Sequence, residues 1–145
     1  MATRGIIAVE RAQGWRGRYV HWDNSPQTRV PTIAQLVQRD GITQVVDTLI
    51  NKHGSWSSID PNQQVGDEDI VSNVVVGYGR YHVDTPPEEG WFTEQDDDLG
   101  WAEYVYIMSA EGLQVCTVES DEEGFEKAVP MVFYTWDSLK QKVIA

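Results

Sequence analysis

His21-Trp22-Asp23 and His82-Val83-Asp84 repeat one spacing, an imidazole and a carboxylate two residues apart. Side chains alternate along a strand, so each pair falls on one face, about 7 Å apart along the chain. Tyr19 shares that face with His21 and Asp23. Were the two strands neighbours, His21, Asp23, His82 and Asp84 would form a nitrogen and oxygen donor set. Such a set suits a divalent cation or acid–base chemistry. The alternative is two unrelated surface pairs, each a His beside a solvated Asp or at a strand end. No cofactor is expected apart from such a metal.

Arg4 precedes the first strand and joins Tyr19, His21 and Asp23 as a catalytic candidate. A hydrolase with an N-terminal nucleophile needs Ser, Thr or Cys at the mature terminus, its own amine serving as base. Loss of Met1 would expose Ala2, and Thr3 stands one position too deep. Gly77-Tyr78-Gly79-Arg80 has the glycines of a phosphate loop but neither its following helix nor its Lys. Cys116, the only cysteine, reads as a buried thiol within a strand. A lone cysteine also leaves no internal disulfide and no Cys-based zinc site, which points to the cytoplasm.

Charge is distributed unevenly. Net charge is −12, and between Tyr81 and Glu126 there are fourteen Asp and Glu with no Lys or Arg. The first 39 residues hold six arginines against Glu10 and Asp23. A surface of this sign disfavours nucleic-acid backbones and anionic membranes, and it speeds capture of a basic protein. Trp91, Glu94, Asp96, Asp97, Asp98, Asp121, Glu122 and Glu123 are the expected binding residues. Trp91 and Trp101 flank the first acidic loop, where exposed aromatics beside carboxylates would also suit a glycan or other small ligand. The plain alternative is solvated loops and core tryptophans.

The elements that must position these residues follow from periodicity. Gly5–Glu10 and Arg16–Asp23 read as a hairpin around Ala12-Gln13-Gly14. Pro31 and Thr32 open a helix that Gly41 breaks. Ile42, Val45, Val46, Leu49 and Ile50 form the apolar stripe of a second helix. Residues 55–69 are polar and turn-rich. Residues 70–76 read as a strand that continues to Asp84 past a bend, and 84–100 as a long acidic surface loop. Ala102–Ser109 and Leu113–Glu119 form a second hairpin, with Tyr104–Met108 apolar on both faces, as in an interior strand. A second acidic loop spans 120–126, followed by a strand at Val129–Thr135 and a helix at Trp136–Ile144. The expectation is a single α+β domain over residues 1–145. It would be a mostly antiparallel sheet of five or six strands, with two or three helices on one face. No apolar run reaches the roughly 18 residues of a membrane span, and the apolar stretch near Met1 is too short for a secretory signal.

Thr3-Arg4-Gly5-Ile6-Ile7-Ala8, followed by Tyr19-Val20-His21-Trp22-Asp23-Asn24-Ser25-Pro26, resembles a family of small uncharacterised proteins of actinobacteria and their bacteriophages. Its pattern is T-R-G-x-I-A, then Y-x-H-W-D-G-Y-P. Asn24-Ser25 stand where Gly-Tyr is usual, and His82 stands where an acid or Arg is usual. The resemblance assigns no reaction. It implies a shared strand pair around Arg4 and His21-x-Asp23 that holds the fold through buried hydrogen bonds, and an accessory role in a bacterial host. The expected function is therefore binding, and even inhibition, of a basic host or defence protein through the acidic half. The alternatives are a hydrolase, metal-dependent or with an N-terminal nucleophile, on Arg4, His21 and Asp23, and a Trp-based ligand binder.

Overall fold

A computed structural model describes residues 3–65 and 73–144, with side chains through residue 140. The chain opens with strands β1 (Gly5–Arg11) and β2 (Gly14–Val20), an antiparallel hairpin with Gly5 opposite Val20. Helix α1 (Pro26–Asp40) follows at once. Helix α2 (Ile42–Val46) passes directly into a π-helical turn at Asp47–Asn51. Next come β3 (Trp56–Ile59), β4 (Val74–Val75), β5 (Gly79–Tyr81) and β6 (Trp91–Thr93). The chain then forms β7 (Tyr104–Met108), β8 (Gly112–Ser120), β9 (Glu126–Thr135) and α3 (Trp136–Ile144).

Among the described residues all nine strands belong to one sheet ordered β4-β5-β3-β2-β1-β7-β8-β9, with β6 also on β2. This corrects the expected sheet of five or six mostly antiparallel strands. The sheet is larger and mixed, because β1 pairs parallel to β7 and β2 parallel to β3. Two strands lie in segments read as loops. β3 is only four residues with two serines in it, and β6 only three after a proline-rich stretch, so neither carries a run of alternating residues. Both exist because β2 has a second edge. That edge gives Val20 to β3 and Arg16–Arg18 to β6.

Other boundaries shift for local reasons. α1 starts at Pro26, five residues before the expected Pro31, because Pro26 supplies the pre-set φ of a first turn. Pro31 is then tolerated inside the helix, on its exposed side. The strand expected to run from 70 to 84 folds back instead. Gly77 adopts φ +79° between β4 and β5, and this turn pairs Val75 with Gly79. Residues 70–72 of that expected strand lie outside the described residues. Gly77-Tyr78-Gly79-Arg80 is thus a hairpin corner, with no helix N-terminus behind it.

The sheet has two covered faces. On one, Ile7, Val20, Tyr106, Met108 and Val115 pack against Val30, Ile33 and Leu36 of α1, Leu49 and Ile50 of the π turn, and Leu139 of α3. All three helices contribute to this layer. On the other face Ile6, Ala8, Trp15, Val105 and Cys116 are covered by Leu99 and Ala102, with Phe92 beside them. Those covering residues come from the first acidic segment. It is a cap over the second face, and burying Leu99 alone is worth about 2 kcal/mol.

Among the described residues no helix is long and apolar enough to cross a membrane.

Candidate functional site

Gly5 and Asn24 meet where β1 begins. A Cβ on Gly5 would lie 2.7 Å from the Asn24 Cβ, so only glycine lets the β1 start pass this side chain. The Asn24 amide donates to the carbonyls of Thr3 and Val20, each at 2.9 Å, and of Trp22 at 3.1 Å. Its Oδ1 accepts from Arg29 Nε at 3.0 Å, and its own carbonyl accepts from the Tyr106 hydroxyl. Arg29 also donates to the Trp22 carbonyl at 2.9 Å. Asn24, Arg29 and Tyr106 are all buried, and burial lowers the Arg29 pKa to about 10. These residues splice the β2 exit, α1 and β7 together.

Asp23 does not face His21. It adopts φ +62°, a left-handed conformation that breaks strand alternation just after β2 ends, and it is exposed. Arg4 immediately precedes β1: its carbonyl accepts from Glu103 N–H at 2.9 Å, and its guanidinium is 5.7 Å from the Trp101 ring. Among the described residues no hydrogen bond or ion pair joins the side chains of Arg4, His21 and Asp23. Among the described residues no group of three or more His, Cys, Asp or Glu is placed to hold a metal, so His21, Asp23, His82 and Asp84 do not converge as a ligand set. The N-terminal-nucleophile version turns on residues 1 and 2, which lie outside the described residues.

The two histidines do approach each other. His21 N–H donates to the Trp56 carbonyl at 3.0 Å and His82 N–H to the Ser55 carbonyl at 2.9 Å, so both flank the start of β3. Tyr19 Oη is 2.9 Å from His21 Nδ1, and Ser55 Oγ is 2.8 Å from His82 Nδ1. Burial pushes the His82 imidazole below its ordinary value, with repulsion from His21 adding and Asp84 opposing. Tyr19, Ser55, His82, Thr85 and Phe92 line an open cavity of about 360 Å³. Sequence spacing pointed at Tyr19, His21 and His82. It missed Ser55, whose partner is set only by the β3–β5 pairing.

Trp91 is not an exposed platform. It is half-buried, with the guanidinium of Arg18 3.2 Å and that of Arg16 4.0 Å from its ring centre. Arg18 is fully buried and donates to the carbonyls of Ile50 at 2.7 Å, Pro87 at 2.6 Å, and Glu89. Burial, with repulsion from Arg16, lowers its pKa to about 10, so it stays charged at neutral pH. Arg18 and Trp91 anchor residues 87–91 to the sheet. Trp101 is the exposed one, at 75%, with φ +65°.

The two acidic loops meet. Glu126 N–H donates to the Asp97 carbonyl at 2.8 Å, and Leu99 N–H donates to Glu126 Oε1 at 2.8 Å. Each loop is internally braced: Asp96 accepts from Thr93 N–H, Asp98 from Gly100 N–H, and Asp121 from the N–H groups of Glu123 and Phe125. Asp97, Asp98, Asp121, Glu122 and Glu123 are exposed, Asp96 half-buried. Among the described residues the ion pairs are Arg39–Asp40, Lys52–Asp47 and Lys140–Asp137, and none involves these acids. Glu94 stands apart, against Gly14 and beside Arg11 at the β1–β2 turn. Asp84, Glu88 and Glu89 belong to the segment near His82 and Arg18. The acidic run thus divides, and its joined part is 96–98 with 121–126.

Comparison of the chain with protein-family models, curated proteins and solved structures finds no match.

Proposed function

We propose that this protein is a binding module that takes a basic partner protein on the surface built from Asp96, Asp97, Asp98, Asp121, Glu122 and Glu123. The single observation that carries this reading is the hydrogen-bonded contact between the two acidic loops. Acidic segments far apart in sequence are thereby held together, and among the described residues none of their carboxylates is in an ion pair. Clustered like charges raise the local potential and speed encounter with an opposite surface. Trp101 and Phe125, exposed at 75% and 47%, add apolar contact area in the same two segments. Trp and other aromatics are the usual anchors of such interfaces. The setting that fits is the bacterial cytoplasm, and the motif resemblance makes a host or defence protein the natural target of a phage-borne accessory factor.

The test compares the native chain with the triple variant D97N/E122Q/E123Q. Among the described residues these side chains hold no loop hydrogen bond, so the variant keeps the fold. A basic protein should be recovered from host lysate by the native chain at low salt. It should be lost with the variant and released as ionic strength rises past the point where the Debye length is about 8 Å. Recovery of the same proteins by both chains would sink the reading.

A further inference from the structure

The cavity between β2, β3 and the 82–92 segment has none of the acids of the docking surface in its lining, which is uncharged: Tyr19, Ser55, His82, Thr85, Phe92 and the glycines Gly90 and Gly100. We propose that it is an acyl-transfer site in which Ser55 is the nucleophile, His82 its general base, and the substrate a small neutral carboxylic ester.

Three observations carry this. First, Ser55 Oγ and His82 Nδ1 are 2.8 Å apart, within the reach that a nucleophile–base pair requires. The backbone bond from His82 N–H to the Ser55 carbonyl fixes the two segments against each other. Second, the walls are rigid. Gly54 lies so close to Thr85 that a Cβ there would fall 2.2 Å from the Thr85 carbonyl oxygen. Arg18 ties down residues 87 and 89 behind that wall. Third, a second polar pair serves the same space. Tyr19 lines the cavity and its hydroxyl is held by His21 Nδ1 at 2.9 Å. With Nδ1 of His21 as the donor in that bond, the Tyr19 proton is free for a substrate oxygen, and His21 is a positioning residue.

The chemistry balances with water as co-reactant. The Ser55 hydroxyl proton passes to His82 Nδ1 as Oγ bonds the ester carbon. The bond from that carbon to the alkoxy oxygen then breaks, and the alcohol leaves with the proton from His82. Water adds to the acyl-Ser55 carbon, giving its proton to His82. The bond to Oγ breaks, Ser55 recovers its proton, and the carboxylic acid departs. An imidazole kept neutral by burial is in the state that the first step needs. A cavity of about 360 Å³ lies at the small end of ligand sites, matching a short acyl group.

The experiment uses the full chain with an alkyl fluorophosphonate, read by intact and peptide mass spectrometry, alongside p-nitrophenyl acetate hydrolysis. One phosphonyl group per chain, on Ser55, is expected, absent in S55A and slowed about 10²-fold or more in H82Q. Y19F should slow ester hydrolysis while leaving the far-UV spectrum unchanged. Native chain left unmodified by the probe, or modified at another residue, overturns the proposal whatever the variants do.

Discussion

The backbone N–H of Glu126 donates to the carbonyl of Asp97, 2.8 Å away, while the Glu126 carboxylate accepts from Leu99 N–H at the same distance. One residue at the start of β9 thus grips both sides of the first acidic loop. The Leu99 side chain beneath that grip is buried against the second sheet face. Packing and charge presentation are therefore coupled. E126A removes the carboxylate acceptor and leaves the Leu99 N–H without its partner, a loss of about 1–3 kcal/mol. The expected result is faster amide exchange at residues 97–100 and a slower association rate with the basic partner, with little change in exchange at β7. Unchanged exchange at Leu99 would show that the loops are held by something else.

Arg18 offers the sharpest stability test. It is a fully buried cation with three backbone carbonyl acceptors and an indole face. R18A strands those carbonyls and opens a cavity, and should cost about 3 kcal/mol or more in urea denaturation. R18K keeps the charge but cannot fork to the carbonyls of both Pro87 and Glu89, so it should recover less than half of the loss. A variant within 0.5 kcal/mol of native, by the order of surface substitutions, would contradict the network.

Asn24 and its neighbour Gly5 predict two damaging substitutions. The Asn24 amide serves three carbonyls and its Oδ1 serves Arg29. In N24D the donors become acceptors facing those carbonyls, partly offset by Arg29, so destabilisation of about 2–4 kcal/mol is expected. G5A should be similarly damaging, since its new Cβ would overlap the Asn24 side chain. Thermal unfolding midpoints check both, and a silent G5A would remove the steric account of Gly5.

Stability should fall on mild acidification. Burial lowers the pKa of His53 first, with Lys52 and Arg18 adding repulsion, and that of His82 likewise by burial first. In the unfolded chain both return to 6.5. As pH drops through 6.5 the unfolded state binds protons that the folded state refuses, so the native state loses stability from there down to the folded values. Urea midpoints between pH 7.5 and 5.5 should decline, and the H53Q/H82Q double variant should flatten the slope. A native profile that is flat or rises toward acid would refute the assignment.

Cys116 should be inert while folded. It is buried in β8, and burial with the nearby Glu94 charge pushes its thiol up to about 11. At pH 8 the thiolate is scarce and shielded, so an aromatic disulfide reagent should react at least ten-fold slower with native protein than with urea-unfolded protein. Equal rates would place the thiol at the surface.

Local order is legible in the sequence itself. Val45, Leu49 and Ile50 are spaced for one helix face, Tyr104–Met108 are apolar on both sides, and Ala110-Glu111-Gly112 lies between two β-rich runs. Each of these is dictated by neighbours a few residues away. The basic start and the acidic stretch from Tyr81 to Glu126 are likewise properties of the chain alone. The tertiary structure decided what distant pairings decide. β3 and β6 are too short to declare themselves, and they form because β2 offers them an unpaired edge. Trp91 looked free in a glycine-flanked acidic segment, yet two β2 arginines lie against its ring. Asp23 takes a left-handed conformation that ends the strand alternation it would share with His21, while Ser55 is brought to His82 across 27 positions of sequence. Side-chain period can tell which way a residue faces within its own element. Hydrogen-bond partners and charge neighbours depend on which strands meet, and that is settled by the burial of the whole sheet.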